Sequence, residues 1–410
     1  MKEYIRKFLF DELDKRSHGE PNLIQVVIGP RQVGKTTLVL QLYKKWAGPK
    51  LYKTADLPNT PTIDWITAQW DEARVLYEKK RSKTLLILDE VQKIPRWSEV
   101  VKKLFDEDKR TKKSIRVILL GSSSLLVQKG LTESLAGRFE IHRHTHWSFP
   151  ECEEYFKMKI EEYLYFGGYP GAIPLRDDEP RWSKYIRDSL IETVLSKDVL
   201  LMSAITKPAL LRQLLGIGLV HPAEIISYQK MLGQLQDAGN TTTIASYLRL
   251  LSNAFLLSPL EKYSGSRIKQ RGSTPKILVW DNSLVTATRG TGYKVTLKDK
   301  ALMGRLTENA IGVKLLAIAQ EIGGELFYWR DRDDEVDFVI QAGDKLIAIE
   351  VKSGNSPVLL TSLDLFGRRY KKTQKTVILQ TNNLIKDKGD FQYITIADFF
   401  RNPRKSINLT

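Results

Sequence analysis

The chain has 410 residues, enough for two or three domains with apolar cores, and a formal charge of +16 from 64 Lys/Arg against 48 Asp/Glu. Its single cysteine, Cys152, excludes an intramolecular disulfide framework and a cysteine-built zinc site. No apolar run reaches membrane-spanning length and the opening stretch lacks the continuous apolar segment of a signal peptide, so a cytoplasmic protein without membrane contact is expected.

The charge is uneven. Residues 1–150 hold 28 Lys/Arg against 18 Asp/Glu, whereas 151–299 hold 19 against 16 and 300–410 hold 17 against 14. A basic balance suits a polyanionic partner, and DNA is the partner expected.

The first element, "MKEYIRKFLFDELDKRS", sets Ile5, Phe8, Leu9 and Leu13 at helical spacing among charges and predicts an amphipathic surface helix. Next, "LIQVVIGPRQVGKTTLVLQLYKKW" reads as apolar strand, loop and helix. The loop Gly29-Pro30-Arg31-Gln32-Val33-Gly34-Lys35-Thr36, followed by Thr37, fulfils G-x-x-x-x-G-K-[ST] in full. Glycines let backbone N–H groups wrap phosphates, and the helix N-terminus adds partial positive charge. The pattern predicts ATP held by this loop, with Lys35 on the β- and γ-phosphates and Thr36 on Mg²⁺.

Downstream, "KTLLILDEVQKI" ends an apolar strand in two acids. Asp89 is expected to hold the magnesium through water and Glu90 to polarise the attacking water. A third strand, "IRVILLGSSS", finishes at Ser122 and Ser123, where a hydroxyl would sense the γ-phosphate. In "ESLAGRFEI", Arg138 is a candidate arginine finger, because transition-state charge on the γ-phosphate calls for a planar cationic donor. His142, His144 and His146 alternate as one strand face would, with nothing nearby to complete a metal site.

The order "GPRQVGKTT", "LLILDEVQ", "LLGSSS", "LAGR" resembles the AAA-type ATPases of bacteria and archaea that carry a C-terminal domain of unknown function. Similar phrases continue through "YLYFGGYPGAI", "YIRDSLIETVLSKDVL", "TIASYLRLLSNAFLL" and "ILVWDNSLVTA". The resemblance implies a homo-oligomer, a ring in which Arg138 acts on a neighbour's nucleotide.

Between residues 200 and 290 the pattern is helical, then hairpin. Tyr228, Met231, Leu232 and Leu235 form one stripe, and Ile244, Leu248 and Leu251 form the next, exposing Thr242, Ser246 and Arg249. "AFLLSPL" and "KILVW" are expected to pair as the strands of a winged helix. The wing tip would carry Lys262, Arg267, Lys269, Arg271 and Lys276 against Glu261, placed to meet DNA phosphates.

The C-terminal segment opens with the helix "GRLTENAIGVKLLAIAQEIGG", whose Glu308, Ile311, Leu315, Ile318 and Ile322 share a face. Then "EVDFVIQAGDKLIAIEVKSG" reads as a hairpin around an Ala-Gly-Asp turn. Pairing Ile340 with Lys345 and Asp337 with Ala348 brings Asp337 to the same side as Glu350 and Lys352. The order Glu308, Asp337, Glu350, Lys352 looks like the restriction-endonuclease-like nuclease core, with spacing similar to that of archaeal Holliday junction resolvases. In that reading Asp337 and Glu350 ligate Mg²⁺, Glu308 is an outer ligand and Lys352 orients the water. Asp333, Asp334 and Glu335 are near enough to share ligand duty. "GRRYKKTQK" adds Arg368, Arg369, Lys371, Lys372 and Lys375 for duplex or branched DNA.

The expected architecture is α/β throughout: a P-loop, AAA-type parallel-sheet domain over 1–150, a helical linker and winged helix over 151–298, and a restriction-endonuclease-like domain over 299–410. Two functions follow from different classes. One is a DNA-processing ATPase coupled to a Mg²⁺-dependent nuclease. The other is a nucleotide-dependent regulatory ATPase whose remaining domains, their acids idle, only bind DNA or a protein.

Overall fold

The computed structural model describes residues 4–121, 134–200, 205, 207–235, 240–265, 273–353, 360–379 and 390–409. The chain divides into two compact units, Met1–His146 with Lys197–Met202, and Trp147–Ser196 with Ser203–Thr410.

The first unit is built on five parallel strands: β1 (Ile24–Ile28), β2 (Lys50–Thr54), β3 (Thr84–Asp89), β4 (Ile115–Gly121) and β5 (Phe139–Arg143), in the order β2-β3-β4-β1-β5. β1, β3 and β4 are buried at every position, which is why they read as near-continuous apolar runs, interrupted inside by Gln25 and Arg116, rather than as alternating ones. One face packs on Trp70, Trp97, Val101 and Phe105, and the other on Phe10, Leu13, Leu38 and Leu42. The N-terminal helix Lys7–His18 buries Phe10 and Leu13, while Phe8 is 65% exposed and Ile5 also faces outward. The apolar stripe therefore starts at Phe10, rotated from the one the spacing suggested.

The second unit holds two sheets. The smaller joins β6 (Glu224–Ile225), β7 (Leu257–Leu260) and β8 (Lys276–Val279) in antiparallel order β6-β8-β7. Ahead of β7, the helix Thr241–Asn253 buries Ile244, Leu248 and Leu251 and exposes Thr242, Ser246 and Arg249. The larger sheet runs β13-β12-β11-β10-β9, from β9 (Glu325–Asp331), β10 (Asp334–Ala342), β11 (Lys345–Lys352), β12 (Gln374–Leu379) and β13 (Phe391–Thr395). Its first three strands are antiparallel and its last three parallel. The helix Lys300–Glu321 buries Ile311, Leu315 and Ile318 against Phe338, Ile340, Ile347 and Ile349. The helix Thr361–Arg369 packs Leu363 and Phe366 with Val336, Val339 and Ala348.

The hairpin register differs from the expected one by two residues. Ile340 faces Ile347 and Ala342 faces Lys345, so the loop is the two-residue Gly343-Asp344, with Gly343 at φ 58°. Two-residue loops with a positive φ match the right-handed twist of the strands and are the commonest hairpin connection. A shift of two preserves parity and moves no side chain to the other face.

Candidate functional site

The phosphate loop leaves β1 at Gly29 and ends at Gly34, the cap of the helix Lys35–Lys45. A Cβ on Gly29 would lie 2.0 Å from the carbonyl oxygen of His144, so glycine alone lets the loop pass the end of β5. Gly34 sits at φ 92° with open space around its Cβ, and the requirement there is conformational. Lys35 is 7% exposed and its Nζ donates to the carbonyls of Gly29 (3.0 Å) and Pro30 (2.5 Å). Burial pushes its ammonium down to about 8, against the pull of Glu90.

The two acids at the end of β3 stand beside this loop. Thr36 Oγ1 donates to Asp89 Oδ2 at 3.3 Å, and the Tyr52 hydroxyl donates to the same oxygen at 2.8 Å. Burial pushes the Asp89 carboxyl up, while Tyr52 and Thr36 hold it down. A hydroxyl and a carboxylate this close are the hard oxygen pair magnesium takes from a protein when phosphate and water complete its octahedron, so the residues fit that ion. Glu90 follows at φ 57° and ψ 27°, a left-handed conformation that costs a non-glycine residue free energy. Its amide donates to Leu120 O at 3.0 Å, and its carboxylate accepts from Gln92 Nε2 at 2.7 Å.

Two neighbours escaped the sequence. Tyr52 is one. The other is Asp198, in the π-helical stretch Val194–Leu200, which grips Arg31 of the phosphate loop in a bidentate pair at 2.5 and 2.6 Å. Asp198 is buried, and its hydrogen bond holds the Arg31 guanidinium above its ordinary value. A lone Asp at the head of the apolar run "DVLLM" was the available signal, since a buried carboxylate needs a cation.

Other expected members stand apart. Ser122 and Ser123 lie outside the described residues, just past the end of β4. Arg138 precedes β5, and its carbonyl accepts from the amide of Ile24 at 2.9 Å. Because β1 and β5 run parallel, Arg138 is at the sheet edge opposite the phosphate loop, about 16 Å of strand away. Its guanidinium forks onto Asp106 at 2.8 and 3.0 Å.

In the second unit the four expected residues do converge. The amide of Val351 donates to Asp337 Oδ2 at 2.8 Å, and Lys352 Nζ donates to Glu350 Oε1 at 2.6 Å. Glu350 Oε2 is buried with no hydrogen-bond partner, and burial, helped by Asp337, pushes this carboxyl up to about 8. Burial and Asp337 likewise push Glu308 up to about 7.

The centre of the group is held by Lys276, and its assignment to a phosphate-facing wing tip is corrected. Lys276 opens β8, is 0% exposed, and places Nζ 2.5 Å from Glu308 Oε1, 3.3 Å from Glu335 Oε1 and 3.6 Å from Asp337 Oδ1. Glu335 joins the group, as its position allowed, whereas Asp334 accepts from Ser362 at 2.8 Å. Arg267, Lys269 and Arg271 lie outside the described residues. Among the described residues, no group of three or more His, Cys, Asp or Glu side chains is arranged to hold a metal ion. Magnesium bound by Asp337 and Glu350 does not fit this arrangement, because the Lys276 ammonium lies against Asp337 and the Lys352 ammonium against Glu350.

Of the basic run after the helix Thr361–Arg369, Arg369 pairs with Asp331 and Lys375 with Asp364, while Arg368, Lys371 and Lys372 are exposed. No described helix is long and apolar enough to cross a membrane.

Residues 21–153 match the family model described as AAA domain. The N-terminal domain is an AAA-type ATPase domain. Residues 157–294 and 303–399 match two families described as domains of unknown function (DUF8612 and DUF4143). The chain is 25% identical to an uncharacterized protein of Methanocaldococcus jannaschii, over 92% of this chain and 85% of that protein. An uncharacterized protein of Haemophilus influenzae is 22% identical over 81% and 83%. Among solved structures, the Thermotoga maritima RuvB Holliday junction branch migration motor aligns at TM-score 0.31 and 12% identity, over 62% of this chain and 89% of its own. AMPPCP-bound DnaA from Aquifex aeolicus aligns at TM-score 0.29 and 16% identity, over 60% and 87%.

Proposed function

We propose that the chain is a Mg²⁺-dependent ATPase that uses nucleotide turnover to control its hold on DNA, with a C-terminal domain that binds without cutting. The observation that carries the ATPase part is the meeting of Lys35, Thr36, Asp89 and Glu90 at the C-terminal edge of β1 and β3, where an open parallel sheet places its ligands. Lys35 is turned onto loop carbonyls that cannot neutralise it, and phosphate oxygens would replace them. Thr36 and Asp89 would hold magnesium, which neutralises charge on the β- and γ-phosphates when bound. Glu90, fixed by its strained backbone and by Gln92, is the base that accepts the proton of the attacking water.

Arg31 gives the site a route outward. It belongs to the phosphate loop, yet its partner Asp198 lies in a segment whose chain neighbours on both sides belong to the other compact unit. An arriving phosphate competes with Asp198 for the guanidinium, so nucleotide state acts on that segment. Arg138, away from its own chain's nucleotide, is the finger offered to a neighbouring copy in an oligomer. DNA is drawn by the overall charge of +16 and by the exposed Arg368, Lys371 and Lys372.

The nuclease reading has one observation in its favour, the convergence of Glu308, Asp337, Glu350 and Lys352. A single set of incubations decides between the two. Wild type, Lys35→Ala and Asp337→Ala are mixed with labelled linear, forked and four-way DNA, ATP and Mg²⁺ or Mn²⁺. Nucleotide-dependent retention without cutting is the expected result. Cutting that disappears in Asp337→Ala would replace the binding reading with the nuclease.

A further inference from the structure

We infer that Lys276 is the resident cation of Glu308, Glu335 and Asp337, filling the space among them that a divalent ion would need and joining the three-stranded sheet to the five-stranded one. This deepens the non-cutting reading above, and its test is independent of ATP and of DNA.

The geometry is that of an occupied site. An ammonium has three protons to donate. Here they face Glu308 Oε1 at 2.5 Å, Glu335 Oε1 at 3.3 Å, and Asp337 through Oδ1 at 3.6 Å and its carbonyl at 3.3 Å. The fourth side is closed by the Phe338 ring, whose centroid is 5.0 Å from Nζ. A cation over an aromatic face, ringed by carboxylates and removed from solvent, is satisfied in every direction. Magnesium at this point would need carboxylate oxygens at roughly 2.0–2.1 Å in an octahedron that keeps several waters. Neither that approach nor room for water is compatible with Nζ already seated among the oxygens.

The strand holds the lysine there. After Lys276, the residues Ile277, Leu278 and Val279 are fully buried, and Leu278 belongs to the same apolar cluster as Ile311, Leu315, Phe338 and Ile349. The amide of Val279 donates to Asn309 Oδ1 at 2.8 Å, and Asn309 Nδ2 donates back to the Val279 carbonyl at 2.7 Å. That reciprocal clamp ties β8 to the helix one residue after Glu308. Movement of β8 would break the clamp and the apolar contact together, so the backbone that carries Lys276 is a fixed part of the domain.

The test is Mn²⁺ binding to the nucleotide-free full-length chain, followed by loss of the free-ion electron paramagnetic resonance signal. Wild type and Asp337→Asn are expected to bind alike, because Asp337 already serves an ammonium. Folded Lys276→Met is expected to gain one site at least tenfold tighter than any in wild type, and to lose it again in Lys276→Met/Asp337→Asn. Should Lys276→Met fail to fold, Lys276→Met/Glu308→Gln, with one carboxylate neutralised as well, is expected to recover cooperative unfolding. Asp337-dependent Mn²⁺ binding by the wild type would overturn the inference. So would a folded Lys276→Met without a new site, or no recovery in the double variant.

Discussion

Two lysines, Lys35 and Lys276, are almost equally hidden from water and are driven in opposite directions. Burial lowers Lys35 to about 8, because its Nζ meets only backbone carbonyls and the nearest acids act from a distance. Lys276 is raised above its ordinary value, because three carboxylates outweigh the same burial. A buried cation whose anions are missing marks a place for an anionic ligand, and one whose anions are present marks a place already filled. By that criterion the first unit holds an open phosphate site and the second a closed ion cluster.

The largest effects should follow from breaking the open site. Lys35→Ala should abolish steady-state ATP hydrolysis, and Glu90→Gln should lower kcat by about 100-fold or more while leaving ATP bound, as removal of a general base does. Turnover and filter-bound nucleotide, measured on the same preparations, separate the two. Normal hydrolysis by either variant would remove the assignment.

Breaking the closed site is a matter of stability. Lys276→Ala leaves Glu308, Glu335 and Asp337 without their counter-ion, and loss of one partner of a buried pair costs about 3–5 kcal/mol. Denaturant unfolding followed by tryptophan fluorescence should show it in the transition of the second unit, with the ATPase unit unmoved. An equal loss in both units would mean the lysine matters through something other than this cluster.

A smaller effect separates the clusters by pH. Glu350 holds its proton up to about 8, far above an unfolded glutamate near 4.5, so the native state binds the proton more tightly. The stability of the second unit should therefore fall as pH rises from about 4.5 to about 8. Glu350→Gln should flatten that slope, and an unchanged slope in melting curves would mean Glu350 is ionised throughout.

The smallest change is expected at the outer partner of the phosphate loop. Asp198→Asn keeps the shape of the Arg31 pair and removes its charge, so kcat for ATP should move by only a few-fold, with KM following the freed guanidinium. No change in either constant would leave Asp198 a packing residue.

Much of the first site was legible because its chemistry is local. The residues from Gly29 to Thr36 are consecutive, and Asp89-Glu90 end a strand whose burial is written as an apolar run. The hairpin faces were legible because period two survives the register shift. What brings Asp198 to Arg31, or Lys276 to Glu308, is tertiary: the partners are separated by 167 and 32 positions and no periodicity links them. Lys276 was also disguised by company, since the basic run it closes reads as a solvated tip until the strand behind it proves buried at all four positions. Arg138 shows the converse, a motif residue that a parallel sheet sends to the far edge.

The most direct measurement is ¹⁵N nuclear magnetic resonance of the lysine side chains in the full-length chain, with Lys35 and Lys276 assigned by Lys35→Arg and Lys276→Met. Lys35 should titrate near pH 8 without nucleotide and at higher pH once ATP and Mg²⁺ are added, while Lys276 should stay protonated throughout the range in which the protein is folded. A Lys276 that titrates near neutrality, or a Lys35 indifferent to nucleotide, would contradict the division into an open and a closed site.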